Sequence, residues 1–275
     1  MCFFINKKRY ATLLVPRVLS FIKMANVNGY LNKLIGDIEC HDVQGIKECF
    51  ANGVDPNELY NSEPLIYELI SEYARTPRFK DCVKVFIDAG LVLEDKPLLA
   101  VLADDAVALD KLIIAEPGLV TRRYTLRCAF TPLYQVTLLH ICAEFNHVSC
   151  ASLLVKCGAD VNARAGINDD GFGGQTPVFH TVNQNNDNSS EMMHFLLSSS
   201  ADLKITVTGF IWGMGYPWET FIPAVNPISY AIMGCLPQMH RSEKRISAIV
   251  SILLKAAYNI NYVPSNVPNR YLSKT

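Results

Sequence analysis

Several residue groups in this sequence are of the kinds that do chemistry. His140, Cys142 and His147 lie close together and could offer nitrogen and sulfur to zinc. Tetrahedral zinc sites usually show paired ligands at short spacing, and no such pair occurs here, which disfavours a metal. Asn168, Asp169 and Asp170 beside Gly171 offer oxygen ligands for calcium, but the twelve-residue calcium-loop pattern is absent and an exposed turn is the simpler reading. Gly171-Phe172-Gly173-Gly174 is too short and wrongly flanked to cradle phosphate, and fits relief of the backbone in a long loop. Asn188-Ser189-Ser190 has the form of a glycosylation sequon, which matters only in a secreted chain. Acid–base chemistry would need residues such as Asp169, Asp170, Glu219 and His240 to converge, and nothing in their spacing signals that. GxSxG, HExxH and GxxxxGK[ST] do not occur. No catalytic, cofactor-binding or metal-binding residue is therefore expected, and no small-molecule substrate.

Two stretches suit contact with another protein. Residues 204–225 hold both tryptophans, Trp212 and Trp218, with Phe210, Tyr216 and Phe221. Aromatic side chains desolvate much area with few rotatable bonds, which is why they dominate binding hot spots. The competing reading, that this segment packs as a plug, carries the greater weight because large exposed apolar patches are rare on soluble proteins. The second stretch is the polar run 164–175, with Arg164, Asn168, Asp169 and Asp170 as candidate contacts, set against a plain solvated loop.

The elements that would position these residues are short helices. In residues 137–163, Thr137 can cap a helix whose Leu138, Ile141, Cys142 and Phe145 share one face. Asn146 stands where a left-handed residue would end it, and Val148 opens a second helix with Ala151, Leu154 and Val155 on a face. Gly158 ends that helix, and Asp160 and Asn162 favour a turn. This segment resembles an ankyrin repeat: Thr137-Leu138-Leu139-His140 stands for the family's Thr-Pro-Leu-His opening, and Gly158-Ala159-Asp160-Val161-Asn162-Ala163 for its hairpin ending. Leu138 replaces the usual proline and Asn146 the usual glycine. The resemblance implies that His140 hydrogen-bonds within and between repeats, and that the chain is a binding scaffold using hairpin tips and the inner face of the first helices.

A unit of about 33 residues cannot bury its apolar faces alone and should recur. Second-helix triplets precede turns at Ile46, Cys49, Phe50 (Gly53), at Val83, Phe86, Ile87 (Gly90), and at Leu109, Ile113, Ile114 (Gly118). Others are Met193, Leu196, Leu197 (Ser200) and Val250, Leu253, Leu254 (Ala257). First-helix faces are Leu31, Leu34, Ile35, Ile38 and Ile66, Leu69, Ile70, Tyr73, with further openings at Thr176-Pro177 and Asn226-Pro227. The expected fold is an all-α repeat solenoid of about six divergent helix-turn-helix repeats. Three excess loops fall at 164–175, 183–190 and 204–225, the last β-hairpin-like from its β-branched and aromatic residues.

A formal net charge of −1, from 25 basic and 26 acidic residues, provides no general field for nucleic acid or anionic lipid. No apolar run is long enough to span a membrane. The nine cysteines are scattered without CxxC pairs and several, Cys49, Cys82, Cys142 and Cys150, fall on core positions, which fits reduced thiols in a cytoplasmic protein. Residues 1–24 read as a basic tail, 25–263 as the repeat array and 264–275 as a C-terminal tail. The expected function is non-enzymatic protein–protein interaction with an unidentified protein partner. The alternatives are an enzyme or enzyme subunit with a site in the insertions, and self-association through apolar terminal repeats.

Overall fold

The computed structural model describes residues 29–184, 187–233 and 242–265. The tail at 1–24, most of 264–275 and His240 lie outside the described residues. Short helices dominate, and they come in pairs. The helix at 29–39, here α1, is followed by α2 (Val43–Ala51); α3 (Ile66–Ser71) by α4 (Phe79–Asp88); and α5 (Lys96–Leu102) by α6 (Ala106–Ala115). Next come α7 (Leu138–Phe145) with α8 (Val148–Lys156), a single 3-10 turn (Pro177–His180) with α9 (Ser190–Ser198), and α10 (Pro227–Met233) with α11 (Glu243–Tyr258).

The same backbone device joins the helices of several pairs. His41, Asp104 and Asn146 each take a left-handed conformation, with φ of 49°, 53° and 57°. The next amide then reaches back five residues, Asp42 to Asp37 O, Asp105 to Ala100 O and His147 to Cys142 O, at 2.8–2.9 Å. Such a bond satisfies carbonyls that the end of a helix would otherwise orphan. A second left-handed position closes the second helices at Gly53, Gly90, Gly158 and Ser200.

Asp42, Asp95 and Asp105 cap α2, α5 and α6 by accepting from backbone amides in the first turn. Side chains also tie the turn that follows one helix pair to the next. Asn57 Oδ1 accepts from Val92 N at 2.6 Å while its Nδ2 donates to Gly90 O at 3.0 Å. Asn162 repeats the pattern further on, accepting from Asp202 N at 2.7 Å and donating to Ser200 O at 3.2 Å. Two asparagines making the same pair of bonds to the next turn are the signature of a translated unit.

One apolar core runs from Leu34 to Leu253. Packing is side by side within rows: α5 on α7, α7 on the 3-10 turn and that turn on α10, with α6, α8 and α9 forming the other row. Phe79 of α4 stacks on Phe145 of α7 with centroids 4.1 Å apart.

Several expectations need correction. Three antiparallel two-stranded pairs interrupt the helices: β1 (Leu59–Tyr60) with β2 (Glu63–Pro64), β3 (Tyr124–Leu126) with β4 (Leu133–Val136), and β5 (Val207–Trp212) with β6 (Thr220–Val225). Only the last was expected, so the fold is helix-rich but not all-α. Gly118 does not end α6 in a left-handed turn but sits inside a 3-10 turn, Pro117–Val120. Ile114 is exposed, and Leu109 and Ile113 bury with Leu112 packed beside them. Ile87 is likewise on the surface. Tyr73 lies past the end of α3 and is exposed, its hydroxyl donating to Glu39 at 2.5 Å. The opening at Thr176-Pro177 makes one 3-10 turn rather than a full helix. Helix α11 runs beyond Ala257 to Tyr258, and Asn259 is the left-handed residue that ends it.

Candidate protein-binding surface

The insertion at 204–225 forms a true hairpin. Val207 pairs with Val225, and the register runs on through Phe210–Ile222 to Trp212–Thr220. Phe210, Trp212 and Ile222 are buried. Phe210 meets Tyr230 edge-on at 5.1 Å, and Trp212 stacks on Phe130 at 5.2 Å. At the hairpin tip, the Tyr216 hydroxyl donates to Ser71 O at the end of α3, 2.7 Å away. Of the five aromatic candidates for partner contact, Phe210 and Trp212 are therefore corrected to interior positions, and Tyr216 is half-buried. Packing against the helices removes that apolar face from water, which is the reading favoured by surface energetics. Trp218 and Phe221 remain outside, 36% and 48% exposed.

The polar stretch 164–175 lies against this hairpin. Gly173 N donates to Gly209 O at 2.8 Å, and the rings of Phe172 and Phe221 are 4.9 Å apart. Asn168 Oδ1 accepts from the amides of Asp170 and Phe172, which folds the tip as a side-chain-supported turn. Gly173 has φ of 125°, and a Cβ there would collide with Gly166 O, so glycine is required. Arg164, Asp169 and Asp170 are exposed and Asn168 is partly so. A cavity of about 200 Å³ opens between this loop and β5, lined by Tyr134, Asp169, Phe172, Gln175, Ile211 and Met214 among others. Tyr134, Ile167 and Met214 are 40%, 62% and 47% exposed, so the loop and hairpin together gather apolar side chains on the surface.

Beneath lies a buried polar network that sequence reasoning missed. Glu144 of α7 accepts from Arg75 Nε at 2.8 Å on one carboxylate oxygen and from His180 Nδ1 at 2.8 Å on the other. Cys128 Sγ lies 3.6 Å from Glu144 Oε1 and 3.5 Å from Arg75 Nη2. Asn188 Nδ2 donates to Arg75 O, and the Arg75 guanidinium lies 4.8 Å from the Phe145 ring centroid. Burial works to raise the Glu144 carboxyl, but the Arg75 charge and the His180 bond outweigh it and hold it below the usual range. Burial pushes the Cys128 thiol up to about 12, so it is not a nucleophile. The only local signal was a charged Glu144 on an otherwise apolar helix; nothing local pointed to Arg75.

The residues that could have held metal or done catalysis have other work. His140 Nδ1 accepts from the Thr137 amide at 3.2 Å and from its hydroxyl at 2.9 Å, and its Nε2 donates to Gln175 O at 3.2 Å. It thus bonds within its own unit and to the next, the role the resemblance implied. His147 Nδ1 donates to Val101 O at 2.7 Å. Among the described residues, no group of three or more His, Cys, Asp or Glu is placed to hold a metal ion. Glu219 accepts from Gly215 N at the hairpin turn, and Asp169 and Asp170 sit at the loop tip. The sequon residue Asn188 is engaged with Arg75 O. No helix among the described residues is long and apolar enough to cross a membrane.

Helix pairs joined by left-handed turns and tied asparagine to turn fit a helical repeat fold. Residues 134–165, spanning β4, α7 and α8, match the family model of the ankyrin repeat, so the chain carries an ankyrin repeat there. Ankyrin repeats are protein-interaction modules, in general without enzymatic activity. Among curated proteins none matches the chain.

Proposed function

We propose that the chain is a non-enzymatic scaffold of about six divergent ankyrin-type repeats that binds another protein, and that the contact surface is built by the 164–175 loop and the outer side of the β5–β6 hairpin. The observation that carries this reading is a cavity lined by exposed Tyr134, Met214 and Asp169, with exposed Phe221 packed on its wall residue Phe172 and exposed Ile167 next in sequence to its lining residues Gly166 and Asn168. Contiguous exposed apolar surface with a polar rim marks protein contact sites. The loop is held by its own turn and by the hairpin, so the surface is ordered before binding and loses little entropy on association. Residues Phe210 and Trp212 support it from inside, and Arg164, Asn168, Trp218 and Tyr216 form its margins. A cytoplasmic location is part of this proposal, in keeping with the free thiols of Cys40 and Cys157.

The test is affinity capture with the intact chain beside a variant carrying Tyr134→Glu, Met214→Glu and Phe221→Glu. Proteins retained by the first and lost from the second, with the variant still folded by circular dichroism, support the surface. An identical set of captured proteins would place the contact elsewhere.

A further inference from the structure

We propose that the cavity between the 164–175 loop and β5 receives an arginine side chain of the partner protein; this rests on the protein-binding reading above and supplies the chemistry of its central contact. The walls are apolar or aromatic, from Tyr134, Phe172, Ile211 and Met214, and the volume is about 200 Å³. Its polar groups include two acceptors, the Asp169 carboxylate and Gln175 Oε1, beside the Asn168 amide and the Tyr134 hydroxyl. Asp169 brings an exposed carboxylate that makes no ion pair among the described residues.

Gln175 is the more telling residue. Its side chain is buried and lines the cavity, and its Nε2 donates to Pro132 O at 2.6 Å. That bond fixes which way round the amide sits, since exchanging nitrogen and oxygen would set two acceptors against each other. Gln175 Oε1 is then a buried acceptor with no hydrogen-bond partner. A buried acceptor left unpaired is costly, and a ligand donor placed there recovers that cost.

The occupant must therefore bring donors and positive charge on an otherwise apolar body. Arginine does so. Its guanidinium is planar, stacks on aromatic faces such as Tyr134 and Phe172, and carries five N–H groups to divide between an amide oxygen and a carboxylate. Lysine offers a compact, more strongly hydrated charge with no plane to stack. A leucine or phenylalanine would fill the walls but leave Gln175 Oε1 unpaired. Asp170 stands next to Asp169 on the loop tip and Arg164 lies on the other side of the loop near Gly174, so a cation is drawn to the Asp169 side of the cavity.

The experiment is a titration of the full-length, isotope-labelled chain with N-acetyl-Gly-Arg-Gly-amide, and with the same peptide carrying citrulline or leucine in place of arginine. The signals to follow are the amides of Gly166 and Gly173 and the Met214 methyl. The arginine peptide is expected to give saturable shifts there at millimolar concentration, with citrulline about tenfold weaker for want of charge. Leucine should give no response. Asp169→Asn, at an exposed position that leaves the fold intact, is expected to weaken the arginine peptide about tenfold. Gln175→Leu gives a second reading of the acceptor.

Absence of shifts at these signals with the arginine peptide, an equal response to leucine, or an Asp169→Asn variant that binds unchanged would each overturn the proposal. The two readings fail separately. A partner lost from the triple glutamate variant while the arginine peptide does not bind would keep the interaction surface and remove the arginine receptor. Peptide binding with no captured partner lost would do the reverse.

Discussion

Arg75, Glu144 and His180 are the residues with most to lose from a single change. A buried ion pair contributes little net stability over a packed apolar equivalent, because desolvation offsets attraction, but removing one member strands the other. Arg75→Ala is therefore expected to destabilise the protein by about 3–5 kcal/mol. Urea unfolding measures it, and the triple change Arg75→Met, Glu144→Leu and His180→Leu, which leaves no member stranded, should recover most of the loss. A variant as stable as the parent would mean that Glu144 finds other partners.

Protonation provides a second prediction at this scale. Burial lowers His147 to about 4, and His140 is held well below its ordinary value, also by burial first and then by His180. Both are neutral in the fold yet protonate near 6.5 when unfolded. Above that value both states are neutral and stability is complete. As pH falls from about 6.5 towards 4, the unfolded chain binds protons that the fold cannot, and stability drops. For His147 alone this reaches about 1.4 kcal/mol one pH unit below its unfolded value. Thermal melts between neutral pH and pH 5 should show the fall, and a flat profile would count against neutral histidines.

Asn146 shows what the sequence could and could not say about single residues. Its left-handed turn was readable from its type and place between helices. Its side chain also accepts from Met192 N at 3.0 Å, which explains why asparagine stands where glycine is usual. Asn146→Gly keeps the turn and loses that bond, at about 1 kcal/mol.

Among the elements, the β5–β6 hairpin decides most. Its strands were visible in β-branched and aromatic residues, but its burial was a question of balance that only packing could answer. Exchanging residues 208–222 for a short Gly-Ser link deletes Phe210, Trp212 and Ile222 from the core. Burial of each such side chain contributes about 1.5–3 kcal/mol, so thermal stability should collapse. A melting temperature within a few degrees of the parent would make the hairpin an accessory. The tip is tightly specified too: Gly213 has φ of 64°, and a Cβ there would overlap the Trp218 ring, so Gly213→Ala should displace that indole. Trp218 fluorescence would report it.

The β3–β4 pair escaped sequence reading for a physical reason. β3 has three residues and β4 four, and the left-handed Gln135 breaks the alternation by which strands are recognised, leaving outward residues side by side. The helices were readable because their period survives in short runs. Where it misled, at Ile87 and Ile114, one apolar position too many was assigned inward, since the periodicity does not say how wide the buried stripe is.

At the scale of the whole molecule, the turn chemistry made the repeated plan readable, through Gly53, Gly90, Gly158, Asp55, Asn57, Asp160 and Asn162. The proposed contact surface was partly so. Asp169, Phe221 and Trp218 were singled out, as were the stretches holding Ile167 and Met214, but Tyr134 comes from β4, which only the tertiary fold brings beside them. A linear stack gains stability from nearest neighbours alone, and its end units can unravel one at a time. Here three ties defeat that arrangement: Tyr216 to Ser71, Asn188 to Arg75 and Glu144 to Arg75. Denaturant unfolding should therefore be one transition whether followed by tryptophan emission at the hairpin or by helical signal.

The bond from Tyr216 to Ser71 has one more effect. A plain stack can grow or shrink over generations by copying or deleting a unit, because each link needs only the one beside it. A strap fastened across the intervening units has a fixed reach. Inserting one more helix pair beneath it would pull the hydroxyl away from its carbonyl, so the strap sets a length for the chain it spans, as a belt is held by its last hole.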